Sequence, residues 1–431
     1  MPMNDGQTQV SRAKKGEITF EVESVAAQEG VEIETVMENV AQGTVVIPKN
    51  MLRNHGIPYG IGEGLRVKVN ANIGTSEAFP DVNAEKIKLK AAIDAGADAV
   101  MDLSTGGNLD DTLQMVLNNA PVPVGSVPVY GAAVRGRIKR GGVLNMVEAD
   151  LFDEIEKHAA AGVDFLTLHS GLTMNVLKNL RTQGRIMGVV SRGGSILAGW
   201  MLQNERENPL YEHFDRILEI ARKYDVTLSL GDGLRPGCLE DATDRAQVQE
   251  LLVLGELVQR AREAEVQVMV EGPGHVPFQQ IEMNVTLAKS LCQGAPFYVL
   301  GPLVTDVAPG YDHIAAAIGG TLAAVSGADF LCYVTPAEHL GLPGPEEVHQ
   351  GVMASRLAAH AADLARGRKA SLQWDREMSL ARKNLDWETQ LQLALDPKRA
   401  RQLYEQLHSE KQEECTMCGS YCALKMVKSL Y

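Results

Sequence analysis

Three cysteines near the C-terminal end, Cys415, Cys418 and Cys422, stand as CxxCxxxC within EECTMCGSYCALKMVKSLY, with one glycine between the second and the third. At that spacing a short loop can wrap one corner of an iron–sulfur cubane. The number of thiolates matters. A 4Fe-4S cluster held by three cysteines leaves one iron open for a small molecule, whereas structural zinc wants a fourth protein ligand, and none stands nearby in the sequence. The plainer alternative is a flexible tail with free thiols or a partial zinc site. Cys238, Cys292 and Cys332 are dispersed, and this uneven usage suits metal or redox chemistry in a reducing compartment better than a disulfide scaffold.

A second group of residues points to a small phosphorylated ligand. In SRGGSILAGWM, Ser191, Arg192 and Gly193 precede a helical pattern, so backbone N–H groups, the positive helix end and a guanidinium fork can together hold a phosphate. In GDGLRPG, Asp232 offers an acceptor and Arg235 a donor beside glycines that let a ligand approach the backbone; a turn with a surface ion pair is the bland reading. Neither stretch has Walker or Rossmann spacing. His275 in EGPGHVP and His339 in TPAEHL follow strand-like runs, with Glu271 and Glu338 close by. Two histidines alone are a weak zinc signal, and by themselves read better as hydrogen-bonded residues of a cleft.

These residues need elements to position them. Residues 66–336 alternate short β-branched runs with longer amphipathic stretches, the pattern of repeated βα units. The strand candidates are RVKVNAN, DAVMDLS, VPVGSVPVY, VDFLTLHSG, IMGVVSRGG, VTLSLGDG, VQVMVEGPGH, FYVLGPLVTD and ADFLCYVTP. That is one more than a (β/α)8 barrel uses, and 186–192 or 328–334 is the expected surplus. Asn72, Asp102, Tyr130, His169, Ser191, Arg192, Asp232, Glu271 and Asp306 all fall at or near the C-terminal ends of runs. In a barrel those ends converge on one face, whereas a doubly wound sheet spreads them along a line. The expected fold is therefore α/β, a (β/α)8 TIM barrel at 66–345. A small N-terminal region is expected at 1–65, a helical C-terminal domain at 346–410 and a cysteine-rich cluster tail at 411–431. Met, Leu and Trp at helical spacing along 194–225 and 346–410 read as core or subunit packing in long helices.

Composition limits the partners. Lys and Arg total 41 against 55 Asp and Glu, a net charge of −14, which repels phosphate backbones and disfavours a nucleic-acid role. Hydrophobic content of 45% with 22% charged residues is ordinary globular usage. No apolar run reaches the ~18 residues of a membrane span, and the first twenty residues lack a secretory pattern. The expected address is the cytoplasm.

From about residue 8 to the cysteine tail, the chain resembles the phosphomethylpyrimidine synthase family, the ThiC-type radical S-adenosylmethionine enzymes of thiamine biosynthesis. The resemblance runs through KVNANIGTS, AVMDLSTGG, PVPVGSVPVY, SRGGSILAGW, SLGDGLRPG, VQVMVEGPGHVP, APFYVLGPLVTDVAPGYDH, LCYVTPAEHLGLP and AAHAADLARG. It implies a (β/α)8 barrel and a homodimer in which the cluster region of one chain serves the barrel of the other. It implies substrate contacts at Asn72, Met101, Tyr130, His169, Ser191, Arg192, Gly193, Asp232, Gly233, Leu234, Arg235, Glu271 and Tyr298. Zinc would fall on His275 and His339, and a 4Fe-4S cluster on Cys415, Cys418 and Cys422. The implied reaction uses S-adenosylmethionine and a reducing electron donor. It converts 5-aminoimidazole ribotide to 4-amino-5-hydroxymethyl-2-methylpyrimidine phosphate, with formate and carbon monoxide.

Longer members have four residues between the second and third cysteines and a long N-terminal domain; this chain has three and resembles the short form. Short members often carry Cys where Ser170 stands here, and Lys where Glu63 stands. A paralogous group, 5-hydroxybenzimidazole synthase of anaerobic cobamide (vitamin B12) synthesis, uses the same ribotide, cofactor and cluster and is the alternative within the family. A zinc-dependent barrel lyase or aldolase with merely structural tail cysteines is the alternative of another class.

Overall fold

The computed structural model describes residues 7–407 and 414–426, with the side chains of 181–183 left out. Of the cluster tail, 411–413 and 427–431 therefore lie outside the described residues, as do 1–6 and 408–410.

Eight parallel strands close a barrel: β1 (Lys68–Ile73), β2 (Ala99–Asp102), β3 (Val124–Ser126), β4 (Phe165–Leu168), β5 (Thr227–Leu230), β6 (Val268–Gly272), β7 (Phe297–Leu300) and β8 (Phe330–Cys332). Each pairs with its sequence neighbours, and β8 returns to β1 through Phe330↔Lys68, Leu331↔Val69 and Cys332↔Asn70. The expected barrel is present, and residues 328–334 supply its closing strand. The surplus candidate is 186–192, which forms no strand. Its backbone is satisfied otherwise: the N–H groups of Ile186 and Met187 each donate to the Asp241 carboxylate at 2.8 Å, and Arg185 pairs with Asp244 at 2.6 Å. The segment's first two N–H groups are thus held by a side chain rather than by a neighbouring strand.

Inside the barrel, Phe165, Phe330 and Tyr298 stack into a floor, with ring centroids 6.3 Å and 4.3 Å apart along that series. Gly125 makes room for it, since a Cβ there would lie 2.3 Å from the Phe165 ring. Above the floor the interior turns polar with Asn72, Thr167, Ser229 and Glu271. Side-chain layers of this kind, ending in polar groups at the C-terminal rim, are how such barrels carry a site on a packed core.

The opposite end is covered by the N-terminal region. Helices Gln9–Lys14, Phe20–Glu29 and Ile33–Gln42 and a two-stranded ribbon, Val45–Val46 with Ile61–Gly62, enclose their own small core of Val10, Val22, Val25, Val36, Val40 and Leu65. Buried charges pin this region to the barrel: Lys68 pairs with Glu29 at 2.9 Å, and Arg53 pairs with Asp164.

Where one long helix was expected over 194–225, the chain makes three: Arg192–Asn204, Pro209–Glu212 and Phe214–Tyr224. Glu205 ends the first in a left-handed conformation, and Asn208 caps the next with Pro209 at its first position. Residues 346–410 likewise divide. Two compact units split the chain after Ala362. Most of helix Pro345–Ala365 belongs to the first because its Val348, Val352, Ala358, Ala359 and Ala362 are buried in the barrel's core. In the second unit, helices Lys369–Lys383, Trp387–Leu393 and Pro397–Leu407 pack through Trp374, whose indole donates to Leu393 O at 2.8 Å, and through the Trp387–Tyr404 ring pair. Among the described residues no helix is long and apolar enough to cross a membrane.

Candidate active site

The C-terminal ends of the strands surround a cavity of about 270 Å³. It is lined by Asn72 from β1, Met101 from β2, Tyr130 after β3, His169 after β4, Asp232 and Arg235 after β5, Glu271 from β6, Tyr298 from β7 and Cys332 from β8. Arg192 reaches it from the start of helix Arg192–Asn204. Of the expected substrate contacts, Ser191, Gly193, Gly233 and Leu234 do not line it; they stand behind the wall and shape it. Ser191 caps the helix, its Oγ accepting from Gly194 N at 3.2 Å. A Cβ on Gly193 would come within 2.2 Å of the His169 ring, and one on Gly194 within 2.4 Å of Gly233 O. The two glycines thus let the helix start pack against His169 and the Asp232 loop, beyond any role in phosphate approach.

The cavity's polar groups are set by burial. Asp232 is buried, neither of its carboxyl oxygens has a hydrogen-bond partner, and the Arg235 guanidinium stands 3.7 Å away. Burial raises its pKa well above the usual carboxylate range, against the pull of Arg235. His169 is pushed down to about 3 by burial, with Arg235 adding to the effect, so its imidazole is neutral, and its Nδ1 has no partner. Glu271 is also raised by burial, partly offset by hydroxyls that donate to its Oε1 from Ser229 at 2.7 Å and Thr167 at 2.8 Å. Asn70 donates to Tyr298 Oη at 2.7 Å, and Asn72 to Cys332 Sγ at 3.0 Å. Burial drives the Cys332 thiol up to about 12, so it stays protonated. The Arg192 guanidinium lies 5.1 Å over the Tyr130 ring and donates to Leu103 O at 3.3 Å. Buried, unpaired donors and acceptors facing one cavity are suited to a polar ligand that completes them.

Sequence reasoning did not single out Thr167, Val190, Cys332 or Glu338 as cavity residues. Thr167 and Cys332 lie inside strand candidates, where alternation along β4 and β8 was the available signal. Val190 belongs to the segment read as a possible strand, and Glu338 was noted only for its nearness to His339.

His275 and His339 come together at the same face, with ring centroids 5.2 Å apart. Each has a carboxylate on Nδ1: Asp306 at 2.7 Å for His275 and Asp312 at 2.9 Å for His339. A carboxylate on Nδ1 favours the tautomer that leaves Nε2 as an acceptor, the arrangement common among metal-ligating histidines. Asp306 was noted in the sequence only as a strand-end residue, and Asp312 not at all. Among the described residues no three His, Cys, Asp or Glu side chains converge on one ion position, so an ion at this pair would have two protein ligands at most.

In the second unit, Cys415, Cys418 and Cys422 lie on one tight turn: Gly419 N donates to Cys415 O at 3.0 Å and Cys422 N to Gly419 O at 3.1 Å, with Gly419 in the left-handed region at φ 49°. Cys422 is buried and Cys418 exposed. The backbone N–H of Cys418 lowers the Cys415 thiol pKa, favouring the thiolate, the form in which a cysteine can ligate a metal. Three soft thiolates that do not converge on one ion fit a cubane, in which each cysteine binds a different iron.

The family profile described as the radical SAM ThiC family matches residues 8–429. A phosphomethylpyrimidine synthase of Moorella thermoacetica is 60% identical over 420 residues, covering 97% of each chain. Proteins of the same name from Desulforamulus reducens and Desulforudis audaxviator are 58% and 60% identical, again over 97% of each chain.

Proposed function

Because the chain belongs to the radical SAM ThiC family, we propose that it converts 5-aminoimidazole ribotide to 4-amino-5-hydroxymethyl-2-methylpyrimidine phosphate, releasing formate and carbon monoxide. Family membership implies S-adenosylmethionine and an iron–sulfur cluster. The observation that carries the substrate reading is the convergence of Asn72, Met101, Tyr130, His169, Arg192, Asp232, Arg235, Glu271 and Tyr298 on one cavity. The shared name of relatives about 60% identical favours the pyrimidine product over the benzimidazole.

Cys415, Cys418 and Cys422 would hold the cluster, which when bound and reduced supplies the electron that splits S-adenosylmethionine into methionine and a 5′-deoxyadenosyl radical. The chain's own residues do the positioning. Arg192 and Arg235 offer forked donors for the phosphate. Asp232 and Glu271 hold ribose hydroxyls or the exocyclic amine, and a buried Asp232 carrying a proton is itself a donor. Neutral His169 presents a nitrogen without placing a charge beside the radical path. Held in one pose in this cavity, among Met101, Tyr298 and the polar groups above, the ribotide presents a fixed hydrogen for abstraction, and water is kept from the reacting carbons. His275 and His339 would hold zinc at the rim as a Lewis acid. Our reading includes a cytoplasmic homodimer that exchanges its cluster regions.

The test is anaerobic reconstitution with iron and sulfide, followed by reduction in the presence of S-adenosylmethionine and ribotide. A brown protein that releases 5′-deoxyadenosine only when Cys418 is intact supports the reading. A colourless protein that turns over with zinc alone, or a Cys418→Ser variant as active as the parent, refutes it.

A further inference from the structure

One buried carboxyl outside the cavity wall has a placement that the mechanism above does not use. Glu250 lies on helix Arg245–Glu263, in the connection between β5 and β6, and is 2% exposed. Its Oε1 accepts from Gly233 N at 2.9 Å and its Oε2 from Leu234 N at 2.7 Å. Gly233 and Leu234 are the two residues between Asp232 and Arg235, so the carboxylate grips the middle of the loop whose two ends line the cavity. The seat is close: a Cβ on Gly233 would meet Glu250 Oε1 at 2.9 Å. On its other side the loop is wedged under Gly194, at the helix start that carries Arg192. Behind the cavity, Asp232, Glu250 and Glu271 border a second chamber of about 20 Å³, about the size that admits one water.

We propose that Glu250 is a positioning residue for ribotide binding: by holding the Gly233 and Leu234 N–H groups it sets Asp232 and Arg235 at the spacing the substrate needs. This rests on the reading that the cavity binds the ribotide. Both carboxyl oxygens are engaged as acceptors, and protonation converts one of them into a donor facing an N–H group. Burial raises the Glu250 pKa to about 7, opposed by the two N–H groups, Arg185 and Arg235. The charged and titratable groups around it are Asp232 and Arg235 on the loop, Arg185 on the segment before helix Arg192–Asn204, and Glu271 across the chamber on β6. The grip therefore strengthens as pH rises through about 7 and loosens as it falls.

The test is calorimetric titration of the reconstituted full-length chain with 5-aminoimidazole ribotide at about pH 6 and about pH 8, for the parent, Glu250→Gln and Glu250→Asp. Gln offers one acceptor and turns an amide toward the other N–H, so it is expected to bind about tenfold more weakly at the higher pH. At the lower pH, where the parent's own carboxyl is protonated, the two should converge. The contributions of Asp232, Glu271, His169 and the ribotide phosphate cancel in the ratio. Asp remains ionisable but is one methylene shorter, and is expected to bind more weakly while keeping the pH dependence. A Gln penalty that is the same at both pH values, or two variants that bind like the parent at both, overturns the inference while leaving the substrate reading intact. A parent chain that binds no ribotide at either pH overturns the substrate reading, and this inference with it.

Discussion

At the scale of single residues, burial decides the chemistry more than charge pairing does. His169 shows this most plainly: a histidine with an ordinary pKa of 6.5 is pushed down to about 3. The unfolded chain takes up a proton below about pH 6.5 that the folded one refuses, so this group costs stability as pH falls from about 6.5 towards 3. The ring-proton resonance of His169 is expected to stay fixed between about pH 5 and about pH 8, and a titration step near the ordinary value contradicts that. Its neighbour Ser170 is fully buried with an unpartnered Oγ. Ser170→Cys should raise stability by about 1 kcal/mol, because a thiol tolerates an apolar slot better than an unsatisfied hydroxyl does. A fall in melting temperature would show that the hydroxyl is in fact satisfied. Residues with distinctive wording stood out as candidates in the sequence: Asp232 of GDGLR lines the cavity, and the tail cysteines share one turn. Glu250 did not, because a glutamate in a helical pattern looks like any solvated residue until the fold buries it against two N–H groups.

At the scale of elements, the barrel strands were legible because both faces are packed and the runs read as continuous apolar segments. The 186–192 segment has the same composition and is not a strand. What distinguishes it is the Asp241 carboxylate, distant in sequence, that takes its N–H groups. Local composition cannot report a partner that lies 54 or 55 residues further along the chain. Asp241→Ala should free this segment, which carries Val190 into the cavity wall. Ribotide affinity should fall about tenfold while the barrel's unfolding free energy changes by less than ~2 kcal/mol, because the released groups lie near solvent and water can replace the carboxylate. Unchanged affinity would show that the segment holds its place without that anchor. The break of the expected 194–225 helix was signalled by Asn208-Pro209, which reads as the start of a new helix.

At the scale of the whole molecule, the reading joins a barrel that holds the ribotide to a separate C-terminal unit that carries the cysteines. If one chain's cluster serves another chain's barrel, mixing two inactive variants should restore turnover. Cys418→Ser would lack a proposed cluster ligand and Glu271→Ala lacks a cavity carboxylate, yet half of randomly assorted dimers would contain one intact pairing out of two. About a quarter of parental activity is expected. No recovery, with dimer exchange verified, would place cluster and cavity within one chain.

The central claim is that ribotide carbon atoms are rearranged into a pyrimidine by a radical begun at this chain's cluster. Mass spectrometry of an anaerobic reaction containing the reconstituted protein, reductant, S-adenosylmethionine and 5-aminoimidazole ribotide reads it directly. The account predicts a phosphorylated aminopyrimidine together with 5′-deoxyadenosine and formate; a phosphate-free hydroxybenzimidazole, or ribotide recovered unchanged beside cleaved S-adenosylmethionine, contradicts it.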